Sequence, residues 1–118
     1  VAVIRNGLRL KDPILDFTTT DKILECMIDC PTQPIEKRYY QQFSRPKLSL
    51  PSSPLAAEFE SLFTSDVIIQ TVADFRTSSW KKLCESAAVG AILCLSGETC
   101  WIFKDEEIRI LYQKILKI

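Results

Sequence analysis

One eleven-residue stretch places positive charge beside ring faces. Lys37-Arg38-Tyr39-Tyr40-Gln41-Gln42-Phe43-Ser44-Arg45-Pro46-Lys47 holds four basic side chains, three aromatics and no acid. Cationic groups take phosphates while ring faces stack bases, so this interleaving suits single-stranded nucleic acid. The plainer reading has Tyr39, Tyr40 and Phe43 pinning a loop to the core while the charges stay in water. A third reading sends the same arm to an acidic protein partner.

The five cysteines are the next candidates: Cys26, Cys30, Cys84, Cys94 and Cys100. Cys26 and Cys30 would share a face on a helix and could hold a soft metal such as zinc, but no C-x-x-C exists and Cys94 and Cys100 lack knuckle spacing, so no metal is the expectation, with zinc as its alternative. Free cysteines of this kind act as small buried hydrophobes. The one thiol with cations close in sequence is Cys84, after Lys81 and Lys82, where a thiolate would be stabilised. An odd cysteine number and no N-x-[ST] acceptor favour a reducing, intracellular setting, cytoplasmic or nuclear.

Much chemistry is excluded outright. The chain has no histidine, which removes Ser-His-Asp and Cys-His catalysis and histidine-ligated metals. With three glycines (Gly7, Gly90, Gly97) neither G-x-G-x-x-G nor a P-loop can be written, so no cofactor is expected. Ser78-Ser79-Trp80-Lys81 approaches a Ser-Lys motif but reads as a helix start. These absences predict that the chain is not an enzyme.

One tryptophan and two isoleucines suggest a binding role instead. Trp101 sits mid-run in an apolar stretch and reads as core. Trp80, next to Lys81-Lys82, reads as a partly exposed anchor of the kind that dominates interfaces. Ile108, Leu111, Tyr112, Ile115 and Leu116 form the stripe of an amphipathic helix. Ile110 and Ile118 lie off that stripe and offer a second apolar strip to another chain. Trp80, Ile110 and Ile118 are therefore the expected partner-binding residues. The expected partner is a protein, with a second copy in a homodimer among the candidates. The function expected is a non-catalytic interaction module or adaptor of a larger complex, with nucleic-acid binding through residues 37–47 as the alternative.

The elements that must position these residues follow from pattern. Val1–Arg5 and Leu8–Lys11 flank Asn6-Gly7, which predicts a β-hairpin. Thr18-Thr19-Thr20-Asp21 signals a helix start, and helix is the reading for residues 22–30, although Leu24, Cys26 and Ile28 also fit a strand. Five prolines between Pro31 and Pro54 preclude a long helix and predict an extended internal segment, residues 31–54. Ser53-Pro54 starts a helix carrying Leu55, Phe59, Leu62 and Phe63. Residues 66–72 fit strand or helix. Trp80 to Ala88 is helical, Gly90 to Leu95 and Thr99 to Phe103 read as a second hairpin, and Asp105-Glu106-Glu107 opens the terminal helix.

The whole has 118 residues, 47% of them hydrophobic, with 15 basic and 15 acidic side chains. That balance fits one small globular domain over residues 1–118. It argues against a surface coated by nucleic acid; residues 1–48 sum to +2 and residues 49–118 to −2. No apolar run approaches the roughly 20 residues of a membrane span. The start at Val1 and the end inside a periodic pattern suggest a domain cut from a longer protein. The expected fold class is α+β, an antiparallel sheet from N- and C-terminal hairpins with amphipathic helices on one face.

Overall fold

The computed structural model describes every residue except Glu98 and Ile118. Strands and helices are both present, and the α+β class stands. In chain order the elements are β1 (Ala2–Ile4), β2 (Leu24–Asp29), β3 (Thr32–Glu36), β4 (Tyr39–Gln42), β5 (Lys47–Pro51), α1 (Pro54–Glu60), β6 (Ile68–Val72), α2 (Phe75–Ser96) and α3 (Glu106–Ile115). Short 3-10 turns at Asp12–Ile14, Thr20–Lys22 and Cys100–Lys104 fill the connections. The chain divides into two compact units, residues 1–79 and 80–118.

The first unit is built on a four-stranded sheet of order β1-β2-β5-β6. β1 and β2 run parallel, β2 and β5 antiparallel, and β5 and β6 parallel. The two central strands explain the core. Leu48 and Leu50 on β5 alternate with half-buried neighbours, as a period of two requires, and with Leu24 and Cys26 on β2 they close on Ala56 of α1; Met27 on β2 is buried as well. β5, α1 and β6 form a crossover between parallel strands, so α1 is laid against the sheet. Ser53 caps α1, its hydroxyl oxygen accepting from the Ala56 amide at 3.1 Å, with Pro54 in the first turn. Phe59 and Phe63 pack at 4.8 Å between ring centroids on the same side.

Three local expectations are corrected. Residues 1–11 are not a hairpin: β1 spends its ladder on β2, with the Leu24 amide donating to Val1 O at 2.8 Å and Arg5 N to Cys26 O at 3.0 Å. Gly7 does take a positive φ of 134°, but the chain then turns through Arg9 (φ 53°) to bury Leu10. Residues 24–29 are strand, not helix, because pairing on both edges outweighs the short apolar run's helical spacing. Residues 90–96 continue α2 rather than starting a hairpin. Gly90 lies inside α2 without ending it, and the helix stops only at Gly97, which sits at φ 66° and donates to Leu93 O at 3.0 Å as a left-handed cap.

The proline-rich stretch holds its own two-stranded sheet. β3 and β4 pair antiparallel, Thr32 opposite Gln42 and Pro34 opposite Tyr40, with an irregularity at Ile35. Arg38 turns the hairpin at φ 77°. Proline is tolerated here because one edge of each strand has no ladder to satisfy.

In the second unit α3 starts at Asp105, whose carboxylate accepts from Glu107 N at 2.8 Å. Phe103 meets Tyr112 edge to face at 5.6 Å, and the Lys104 ammonium lies 3.7 Å above the Trp101 ring.

Candidate functional site

The basic-aromatic segment is a protruding hairpin. Every residue of β3 and β4 is exposed, as are Lys37, Arg38, Phe43 and Arg45. Tyr39 and Tyr40 are each 68% exposed, so the rings do not pin this segment to the core. Lys47 is half-buried as the first residue of β5, opposite Asp29.

The expected partner residues fall on two helices. Trp80 is exposed on α2, and Ile110 is exposed on α3. Ile118 lies outside the described residues. The core reading of Trp101 is corrected, since the residue is 61% exposed; its face is taken by Lys104 instead, an arrangement that i+3 spacing in a tight turn permits.

The cysteines separate by burial. Cys26 is wholly buried, and burial pushes its thiol up to about 11. Cys30 is half-buried and Cys84, Cys94 and Cys100 are exposed, all as free thiols. The description as small buried hydrophobes therefore holds for Cys26 alone. No cluster of metal-ligating side chains occurs among the described residues.

One cleft of about 290 Å³ opens beside α1, lined by Val1, Ala2, Leu24, Leu55, Glu58, Phe59 and Leu62. Glu58 is its one charged side chain, so it offers apolar surface without convergent donors.

The long helix α2 also carries charged and hydroxyl side chains. Polar and apolar side chains are mixed around this helix, and Lys82, Ser86 and Gly90 recur along it at i, i+4 and i+8. Lys81 is exposed whereas Lys82 is half-buried, because a helical step of about 100° turns adjacent residues to different surroundings. A side chain built at Gly90 would meet nothing within 4 Å. A cation, a hydroxyl one turn on and an open position two turns on can together receive an anionic ligand. The helix begins at a capped end, where the Asp74 carboxylate accepts from Thr77 N at 2.9 Å. Hydrogen bonding from Thr77, chiefly, holds the Asp74 carboxyl below its ordinary value.

No family model matches the chain. It is 28% identical over 107 residues to a 2-dehydropantoate 2-reductase of Caulobacter vibrioides, across 90% of this chain and 37% of that protein. Its fold is similar to that of a dimeric ketopantoate reductase from Staphylococcus aureus, with a TM-score of 0.60 and 22% identity over 80% of this chain and 36% of the other. The chain thus spans little more than a third of the length of these relatives.

These likenesses correct the functional expectation. A non-catalytic adaptor, with nucleic-acid binding as its alternative, does not agree with relatives that are reductases. The expectation of no enzyme rests on missing histidine and missing glycine-rich loops.

Proposed function

We propose that this chain is a segment of a reductase acting on a 2-keto acid of the 2-dehydropantoate type, and that Lys82 and Ser86 on α2 meet the substrate. The alignment over 90% of the chain with a 2-dehydropantoate 2-reductase carries this reading. The chemistry of α2 is in keeping with it. A 2-keto acid presents a carboxylate beside the carbonyl to be reduced, and reduction builds negative charge on the carbonyl oxygen. A cationic donor at that oxygen stabilises the charge and supplies the proton. Without histidine, that role falls to lysine or tyrosine. Lys82 is half-buried on a rigid helix with the Ser86 hydroxyl one turn away, which favours a fixed position over a solvated one.

Reduction also needs a hydride donor, and a dinucleotide is held by a glycine-rich turn between a strand and a helix N-terminus. The residues present do not fit that group: Gly7 follows β1, but the chain passes into a 3-10 turn at Asp12–Ile14, not into an α-helix. No helix among the described residues is long and apolar enough to cross a membrane. A cytoplasmic setting and a second copy of the chain as partner belong to this proposal, supported by the free cysteines and by the dimeric state of the solved relative.

Saturation-transfer NMR with 2-dehydropantoate on the whole chain tests the reading. Transfer to the ligand is expected, and Lys82→Met abolishes it with the circular dichroism unchanged. Absence of transfer in the parent chain, or equal transfer in the variant, refutes the proposal.

A further inference from the structure

We infer that α3 is the site of self-association, pairing antiparallel with α3 of a second copy across a two-fold axis through Ile110 and Leu111. This deepens the partner reading above by naming the surface, and it is independent of the reductase chemistry.

The face that carries it is Glu107, Ile110, Leu111 and Lys114, spaced i, i+3, i+4 and i+7 on a ten-residue helix. Such spacing puts all four on one side. The two apolar residues at its middle are 44% and 46% exposed, more than Ile115 or Leu116. The side of α3 with Tyr112 is occupied by Phe103, whereas Glu107, Ile110, Leu111 and Lys114 are all exposed.

The charges at the two ends of the face are opposite, and they are placed symmetrically about its apolar middle. Glu107 stands three residues before Ile110 and Lys114 three after Leu111. Within one helix these charges lie seven residues apart, about 10 Å along the axis, too far to pair. Neither has an ion-pair partner among the described residues. Turning a second α3 end for end brings Glu107 of each copy to Lys114 of the other, twice over, while Ile110 and Leu111 meet their equivalents. Self-complementarity of this kind is what a two-fold interface requires, since the same patch must serve both sides. A parallel arrangement would set like charges against each other. One helix pair is a small interface, so the dimer forms reversibly with concentration.

Sedimentation velocity on the whole chain over a concentration series reads the association. The parent chain is expected to shift from monomer to dimer. Glu107→Lys and Lys114→Glu, each alone, weaken the dimer about tenfold or more, because two attractive pairs become two repulsive ones. An equimolar mixture of the two variants recovers parent-like dimer, since one copy then presents lysine at both ends of the face and the other presents glutamate at both. Ile110→Gln weakens association without changing the circular dichroism. A parent chain that stays monomeric overturns the inference together with the partner reading. A dimer indifferent to both charge variants, or a mixture that does not recover, overturns the α3 interface and leaves the partner reading standing.

Discussion

Cys26 has no exposed surface, and its thiol donates only a weak 3.8 Å contact to the Leu24 carbonyl oxygen. Burial opposes the thiolate and raises its pKa from 9.0 to about 11. The folded chain therefore keeps a proton that the unfolded chain releases across that interval, and proton linkage makes stability fall as pH rises from 9.0 to about 11. Denaturant midpoints are expected to decline over this window in the parent chain more steeply than in Cys26→Ala, which has nothing to titrate there. Equal slopes would show that the thiol is hydrated in the folded state. Composition alone suggests buried cysteines but does not say which, because burial depends on the face each position takes once the strand is paired. Lys81 and Lys82 pose the same problem. Adjacent in sequence and alike in chemistry, they differ in surroundings only through the rotation of α2.

At the scale of elements, caps and amphipathic spacing are legible where a helix controls its own ends. Ser53-Pro54 and Asp105-Glu106-Glu107 start α1 and α3 as their side chains predict. The Ser53 hydroxyl satisfies an amide that the first helical turn leaves without a partner. Ser53→Ala is expected to cost about 1 kcal/mol in chemical denaturation. The effect reaches beyond α1, because Ala56 of its first turn closes the core over Leu48 and Leu50. A variant as stable as the parent would mean that water replaces the cap without loss. Elements set by distant partners are not legible. Asn6-Gly7 carries hairpin chemistry, but the preceding strand finds β2 instead, and the Asn6 side-chain oxygen accepts from Ile28 N at 3.2 Å. The apolar run 90–95 matches a strand by composition and becomes helix because α2 has already begun at Phe75. The juxtaposition of Lys82 and Ser86 is hidden for a related reason: they fall one turn apart only once α2 is known to be continuous.

Across the whole molecule, burial is unevenly shared. The first unit closes a core of Leu24, Cys26, Leu48, Leu50 and Ala56 within a paired sheet. In residues 80–118 the buried hydrophobic side chains among the described residues are Ala88 and Ile92, while Leu95, Trp101, Ile110 and Leu111 are exposed. Opening a segment costs less when it uncovers less apolar area, so local stability should follow this division. Amide hydrogen exchange is expected to be slowest in β2 and β5 and fastest in the exposed β3–β4 hairpin, with α3 near the fast end in dilute solution. Raising the concentration should slow α3 alone, because pairing through Ile110 and Leu111 makes each opening break the dimer as well as the helix. The hairpin amides provide the internal control, having no part in that interface. If α3 were as protected as β5 at every concentration, the two units would be unfolding as one. The exposed face of α3 would then be held by something other than a second copy.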